Sequence, residues 1–343
     1  MASNKTIFLH AGFPKTATTF LQKRVFPKLV QIQYAGRHYP KGQRSPTERL
    51  LLNSFPITRR ITPTEQEQKR INGGHALQAI IDQSSRDVLF STEGVTSQCL
   101  EPISNRRIRS EPFPAPTPRQ ALEHARDICR AAGFDELKLI LTLRRQDELL
   151  TSFFAEAFGG RLGRIYSTDK FDKYAEEVMN SPSRLIDNAI LDYDILSSIC
   201  HDIFDKENVL LIDYSWFRTK PTLMCRNLSN FLGVDYDVLE RLLSNGQREN
   251  VRRSESKDTV LKVRRRNAVN ILDEIKSMIS PSRNLGIGKI LRPILEKLEM
   301  GEKEFTPPTS VIDQIRNHYL QSNRAFISKN PDFDSLEFPA DNC

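Results

Sequence analysis

Near the start of the chain, one lysine and three threonines are spaced so that together they could hold an anion. The stretch Thr6–Gln22 reads TIFLHAGFPKTATTFLQ, and in it Lys15 is followed by Thr16, Thr18 and Thr19. A lysine supplies a full positive charge, and threonine hydroxyls supply hydrogen-bond donors. The chemistry that suits this set is the binding of a phosphate-like group.

The flanking sequence predicts the elements that would position these side chains. The apolar run that ends at His10 is typical of a short buried strand, Gly12 and Pro14 break any regular element, and the pattern over 18–26 predicts a helix. Backbone N–H groups in the first turn of a helix have no intrahelical partner, and the helix dipole adds partial positive charge there. A strand, a tight loop and a helix start therefore favour an anion site.

The loop differs from the common nucleoside-triphosphate loop, which needs a glycine directly before its lysine. Here Pro14 precedes Lys15. The segment instead resembles the 5′-phosphosulfate loop of sulfotransferases that use 3′-phosphoadenosine 5′-phosphosulfate, which reads roughly Pro-Lys-(Ser/Thr)-Gly-Thr-Thr. The resemblance implies that the donor nucleotide is bound by Lys15, Thr16, Ala17, Thr18, Thr19 and Phe20.

Ala17 stands where the family usually has glycine. Because alanine disfavours a positive φ, we expect the loop to turn at Ala17 with a negative φ.

A second segment, LRRQDELLTS, places Arg144 eight residues before Ser152. The apolar run 137–143 predicts a buried strand that ends at Arg144, and a helix follows from Gln146. In the sulfotransferase family an arginine and a serine at this spacing clamp the 3′-phosphate of the donor, and the resemblance carries that role to Arg144 and Ser152. Hydrogen bonds from arginine to phosphate are about twice as strong as neutral ones.

Two weaker matches complete the expected nucleotide site. The segment LLIDYSWF resembles the family's strand that ends in a tyrosine near the adenine, which implies this role for Tyr214. The segment RENVRRS resembles an Arg-x-Asn-x-Ser segment of bacterial members, which implies that Arg248 and Asn250 approach the nucleotide. Arg252 stands where the serine should be, so it is a candidate on its charge alone.

The acceptor hydroxyl needs a base within hydrogen-bond reach. Glu93 is the first candidate, because it follows the apolar run 87–91 and lies in STEG, which resembles the Ser-x-Glu of bacterial sulfotransferases. His10 is the second, because it ends the first strand beside the loop. Lys15 is expected to be catalytic as well, since it can stabilise the negative charge on the leaving phosphate oxygen.

Apolar runs that alternate with helical patterns predict an α/β fold with a doubly wound, mostly parallel sheet, a P-loop-like nucleotide site and a C-terminal helical cap. We expect a single sulfotransferase domain over 1–343, with a core over about 5–235 and the cap over about 254–330. The finer predictions are an irregular segment over 33–61, a helix over 64–84 interrupted at Gly73–Gly74, and a charged helix over 257–279.

The composition of the chain limits the kinds of partner and the cellular compartment that we expect. The chain has 343 residues and a net charge of +7, which favours anionic partners such as a doubly phosphorylated nucleotide. There is no apolar run long enough to span a membrane, and the first strand begins too early to leave room for a signal peptide. The five cysteines are scattered and indicate neither a disulfide framework nor a zinc site. We therefore expect a cytoplasmic protein with no metal, no nucleic-acid partner and no integral membrane segment.

The expected activity is transfer of a sulfuryl group to an acceptor hydroxyl, with a glycan or glycolipid as the leading acceptor. Two alternatives stay open. A nucleotide kinase would use a carboxylate at a strand end, Glu93 or Asp213, to hold magnesium. A non-enzymatic binder of anionic polymers would use two groups of arginines, Arg106, Arg107 and Arg109, and Arg264 to Arg266.

Overall fold

The computed structural model describes residues 5–36, 45–57, 62–100, 116–134, 136–157, 170–180, 188–244, 261–264 and 302–338. Its centre is a five-stranded, all-parallel sheet with the strand order β2-β3-β1-β4-β5. The strands are β1 (Ile7–His10), β2 (Ile32–Tyr34), β3 (Asp87–Ser91), β4 (Lys138–Leu143) and β5 (Val209–Asp213). The predicted α/β class with a mostly parallel sheet is confirmed.

The strand order places the carboxyl end of β1 between those of β3 and β4. From β1 the chain moves to β2 and β3 on one side, and it later crosses to β4 and β5 on the other. Because parallel crossovers are right-handed, the helices of these two halves cover opposite faces of the sheet. In sheets of this kind the ligand crevice lies outside the carboxyl ends of the strands at the point where the direction reverses.

The helical elements follow the apolar periodicity, and three of them begin with the same cap. Ser45, Thr62 and Thr117 each form a capping box with the residue three positions later, followed by a proline in the first turn. The helices are α1 (Thr18–Phe20), α2 (Pro46–Ser54), α3 (Pro63–Asp82), α4 (Gly94–Ser97), α5 (Pro118–Ala131), α6 (Gln146–Ala157), α7 (Phe171–Met179), α8 (Tyr193–Phe204), α9 (Trp216–Thr219), α10 (Pro221–Leu232), α11 (Tyr236–Ser244) and α12 (Thr309–Lys329).

The predicted break at Gly73–Gly74 is wrong, because α3 is continuous. A Cβ on Gly73 would lie 2.9 Å from the Cβ of Ser54, and a Cβ on Gly74 would lie 2.6 Å from the Cβ of Ala131. The two glycines therefore let α3 pack closely against α2 and α5. Close helix packing outweighs the cost of about 1 kcal/mol that each glycine imposes inside a helix.

Three further expectations need correction. The segment 33–61 contains most of β2 and all of α2, although it was expected to be irregular. The single helix expected over 18–26 is a composite, in which α1 continues as a π-helix (Leu21–Val25) and a 3-10 helix (Phe26–Lys28). Within the helix expected over 257–279, Leu261–Arg264 forms the strand β6, antiparallel to β7 (Glu302–Phe305). A short run rich in Leu and Val can form either a helix or a strand. Here the pairing with β7, about 40 residues further along the chain, selects the strand.

The carboxyl-terminal helix α12 packs on the same core as the sheet. Val311, Ile315, Tyr319 and Phe326 on this helix are buried in one cluster with the sheet residues. Much of the cap expected over about 254–330 lies outside the described residues, as do Arg106, Arg107 and Arg109. Over the described part of the chain, no helix combines the length and the apolar character that crossing a membrane requires.

Candidate functional site

The segment 11–17, called the anion loop from here on, leaves the carboxyl end of β1 and turns with two residues in the left-handed region. Lys15 has φ 68° and Ala17 has φ 61°. The expectation of a negative φ at Ala17 is therefore wrong. A left-handed conformation costs a non-glycine residue about 1–2 kcal/mol, so the surrounding contacts must hold this loop in shape.

Two hydrogen bonds stabilise the shape of the anion loop. The Oγ1 of Thr16, which is fully buried, donates to the carbonyl of Phe13 at 2.6 Å. The Oγ1 of Thr96 donates to the carbonyl of Gly12 at 3.0 Å. A Cβ on Gly12 would lie 2.6 Å from Cγ2 of Thr18, so only glycine lets the loop fold back this tightly.

Arg144 joins the anion loop to the end of β4. Its Nη1 donates to the carbonyl of Lys15 at 2.9 Å, and its Nε donates to Glu148 at 3.1 Å. Its Cζ lies 4.6 Å from the centre of the Tyr214 ring. Lys15, Arg144 and Tyr214, which the sequence analysis assigned to three parts of one nucleotide site, are thus brought together.

An aromatic group continues from Tyr214. Its ring lies 6.2 Å from that of Phe217, which in turn lies 6.2 Å, edge to face, from that of Phe20. Phe20 is mostly buried, whereas Tyr214 is half-buried. Aromatic faces of this kind can stack on a nucleotide base.

Glu93 lies at the end of β3 and is linked to the anion loop through Thr18. The Oγ1 of Thr18 donates to Oε1 of Glu93. A hydroxyl carries a single hydrogen, so Thr18 cannot donate to Glu93 and to a bound anion at the same time. Thr19, one residue on, is half-buried at the start of α1.

His10 lies beneath the loop and is fully buried. Its Nδ1 is 2.7 Å from Oγ of Ser91, which also accepts from Nε2 of Gln22 at 3.0 Å. Its Nε2 has no hydrogen-bond partner among the described residues. Burial lowers the pKa of His10 from 6.5 to about 3, so the ring is neutral at pH 7. A general base must reach the acceptor, and this burial argues against His10 in that role.

Of the remaining residues predicted for the site, the structure describes one and leaves three outside the described residues. Ser152 is half-buried in α6. Arg248, Asn250 and Arg252 lie outside the described residues. The neighbouring Arg145 pairs with Asp147 at 2.7 Å and with Glu148 at 3.2 Å, and its guanidinium lies 6.0 Å from the Phe338 ring.

Sequence reasoning missed Glu148, Phe217 and Thr96. Glu148 lies in the first turn of α6, four positions after Arg144, and this opposite charge close by in the sequence could have indicated the ion pair. Phe217 and Thr96 carry no local signal, because their contacts with Phe20 and Gly12 join residues far apart in the chain.

Asp213, at the end of β5, is buried and hydrogen-bonded. It accepts from the backbone N–H of Ser215 at 2.8 Å and from the hydroxyl of Ser335. Burial raises the pKa of Asp213 above its usual range, although both hydrogen bonds act in the opposite direction. In the part of the chain that the structure describes, no group of three or more His, Cys, Asp or Glu side chains could hold a metal ion.

Comparison with known proteins finds structural neighbours but no sequence relatives. No protein-family model matches the chain, and no curated protein matches it. Among solved structures, a sulfotransferase from Alicyclobacillus acidocaldarius aligns over 68% of this chain and 83% of its own, with 17% identity and a TM-score of 0.40. The sulfotransferase domain of the Synechococcus PCC 7002 olefin synthase aligns over 72% and 80%, with 14% identity and a TM-score of 0.37.

Mouse sulfotransferase SULT7A1, solved in complex with PAP, aligns over 84% of this chain and 89% of its own, with 12% identity and a TM-score of 0.38. These three chains are sulfotransferases, but similarity of this size does not assign their activity to another chain.

Proposed function

We propose that this protein is a sulfotransferase that moves the sulfuryl group of 3′-phosphoadenosine 5′-phosphosulfate to an acceptor hydroxyl. The observation that carries the proposal is the contact of Arg144 with both the Lys15 carbonyl and the Tyr214 ring. Lys15 and Tyr214 are 199 positions apart in the sequence. Three motifs that resemble three parts of one family's nucleotide site therefore meet at one edge of the sheet.

The residues around the anion loop fit the donor substrate. Lys15 supplies a positive charge, and the first turn of α1 supplies N–H groups without intrahelical partners. Gly12 carries no side chain, so the loop can fold closely against Thr18 and His10 and keep its shape. In this proposal the half-buried ring of Tyr214 stacks on the base, and the guanidinium of Arg144 binds the 3′-phosphate.

In the proposed mechanism the residues position the reactants and stabilise charge. Glu93 takes the proton of the acceptor hydroxyl as the oxygen forms its bond to sulfur. The bond between sulfur and the 5′-phosphate oxygen breaks, and Lys15 stabilises the negative charge left on that oxygen. The Thr18 hydroxyl must turn from Glu93 if it is to donate to the phosphosulfate.

The proposal includes the class of acceptor. We propose a hydroxyl of a glycan or glycolipid, as the sequence analysis does. The net charge of +7 is compatible with an anionic acceptor as well as with an anionic donor. Cytoplasmic location and a single domain over 1–343 belong to the same proposal.

Calorimetric titration tests the donor. Wild type is titrated with 3′-phosphoadenosine 5′-phosphate, ADP and ATP, with and without magnesium, beside Lys15→Ala. We expect binding that is tighter with the 3′-phosphate than without it, does not need magnesium, and weakens about tenfold or more in the variant, because Lys15 contributes a charge-assisted contact. Lys28→Ala, which removes an exposed lysine after the π-helix, is the matched control and should bind as wild type does.

The same titrations separate the alternatives. A preference for magnesium–ATP, with no effect of the 3′-phosphate, would contradict the sulfotransferase and favour the kinase. No binding of any nucleotide, together with salt-sensitive binding of heparin, would favour the binder of anionic polymers.

A further inference from the structure

Arg144 contacts the anion loop directly, in addition to standing where the 3′-phosphate is expected. We propose that Arg144 is a positioning residue for Lys15, and that it couples the 5′ half of the nucleotide site to the 3′ half. The inference rests on the proposed function and deepens it, since a 3′-phosphate clamp alone would leave the loop untouched.

Lys15 is a residue whose backbone needs such support. Its φ of 68° lies in the left-handed region, which a lysine adopts only when the surroundings over-determine it. The peptide between Lys15 and Thr16 is planar, so the hydrogen bond that holds the Lys15 carbonyl also holds the plane of that peptide. The direction in which the Lys15 side chain leaves the loop depends on the same backbone angles.

Arg144 is itself held in place. Its Nε pairs with Glu148, its guanidinium lies over the Tyr214 ring, and its backbone carbonyl accepts from the hydroxyl of Tyr193. The ring of Tyr193 is fully buried and lies 6.4 Å from that of Phe13, inside the anion loop. These contacts hold Arg144 in place, so its guanidinium can fix the position of the Lys15 carbonyl.

The guanidinium has donors left for a phosphate. An arginine carries five N–H donors in a planar fork, and the contacts with Lys15 and Glu148 occupy two of them. The fork can bind a 3′-phosphate while it holds the loop. Because one group serves both halves, a ligand that fills the 3′ half restrains Arg144 further and thereby orders the 5′ half.

A matched pair of ligands tests the coupling. Adenosine 5′-monophosphate differs from 3′-phosphoadenosine 5′-phosphate only in lacking the 3′-phosphate. Both are titrated by calorimetry into wild type, Arg144→Lys, Arg144→Gln and Ser152→Ala, at low salt and at 0.5 M salt. The high-salt series removes most of the long-range effect of the lost charge, because the screening length is then only about 4 Å.

We expect both Arg144 variants to bind adenosine 5′-monophosphate about fivefold to tenfold more weakly than wild type, at both salt concentrations, because one hydrogen bond to the loop is lost or misplaced. Ser152→Ala, at the residue that is expected to bind the 3′-phosphate, should weaken the doubly phosphorylated ligand alone. Arg119→Gln, which removes an arginine paired with Asp202 on the surface, is the charge-matched control and should change neither affinity.

The outcomes separate the inference from the proposed function. If wild type binds both ligands and the Arg144 variants lose affinity only for the doubly phosphorylated one, the inference is wrong and the proposed function stands. If wild type binds neither ligand, the proposed function fails. Arg144→Lys keeps the positive charge at the site but removes the planar guanidinium. If the fluorescence of the single tryptophan shows that this variant folds as wild type does, its loss of affinity reports the geometry of the guanidinium and not its charge.

Discussion

At the scale of single residues, the site depends on backbone strain held by specific contacts. Lys15 and Ala17 both lie at positive φ, and neither is glycine. The Thr16–Phe13 and Arg144–Lys15 hydrogen bonds both stabilise this shape. The loop thus keeps the conformation of a glycine-containing loop without glycine at either position.

Ala17→Gly should stabilise the protein by about 1 kcal/mol, because glycine adopts a φ of 61° without steric cost. The free energy of unfolding from urea titration measures this change. Ala17→Val is the opposing control and should destabilise, because a β-branched side chain is least suited to this conformation. Equal stability of all three proteins would contradict the left-handed conformation at Ala17.

His10 should make the protein sensitive to acid. Its pKa is about 3 when folded and 6.5 when unfolded, so below pH 6.5 the unfolded chain binds a proton that the folded protein does not. Stability should therefore fall as the pH drops from 6.5 towards 3, by about 1.4 kcal/mol per pH unit from this group.

His10→Gln should remove this contribution. The measurement is the free energy of unfolding of both proteins at pH 7.5 and pH 4.5, where the wild type should lose about 2–3 kcal/mol more than the variant. Parallel losses in the two proteins would show that His10 does not titrate with a lowered pKa.

At the scale of elements, the close approach of α3 to α2 and α5 determines how these helices pack beside the sheet. Gly74→Ala would place a Cβ 2.6 Å from the Cβ and 2.8 Å from the backbone carbon of Ala131. We expect a loss of about 1–3 kcal/mol, although alanine is the better helix former by about 1 kcal/mol. His75→Ala, at the next and exposed position, should leave stability within about 0.5 kcal/mol of wild type. A gain in stability for Gly74→Ala, measured by urea titration, would contradict the packing of α3 on α5.

At the scale of the whole molecule, a buried amide pair connects α12 to the start of α6. Nε2 of Gln146 donates to Oδ1 of Asn323 at 2.7 Å, and Nδ2 of Asn323 donates back at 3.0 Å. The same Nδ2 donates to the carbonyl of Leu336 at 2.9 Å. Nearby, the buried Asp147 accepts from Arg145 and Arg316, so α6, which follows Arg144, is fixed by the carboxyl-terminal helix.

Asn323→Leu should cost about 2–4 kcal/mol, because it removes the donor to the buried Oε1 of Gln146 and to the carbonyl of Leu336, while Nε2 of Gln146 keeps its bond to the carbonyl of Leu191. In the double variant, Gln146→Leu should lower the free energy of unfolding by less than it does as a single substitution, because it removes the Gln146 side chain that Asn323→Leu has left without its partner. The fluorescence of Trp216, which is the only tryptophan and packs 4.8 Å from Phe333, reports the unfolding. Strict additivity of the two substitutions would contradict the pairing.

The sequence by itself determined the parallel α/β class and the placement of Lys15 and Arg144 at strand ends, because apolar runs and turn residues act locally. It also supplied Glu93 and Tyr214 as candidates through the residues that follow strands. It could not predict the positive φ of Ala17, since the loop closes through contacts with Thr96 and Arg144 from distant parts of the chain.

Only the tertiary structure decided the continuity of α3 through Gly73–Gly74, the strand β6 and the burial of His10. In each case a partner 19 to 81 positions away determines the outcome: Ser54 and Ala131 for the glycines, β7 for β6, and Ser91 for His10. Packing and pairing between such distant segments outweigh local propensity, because their energies become available only once the chain has folded.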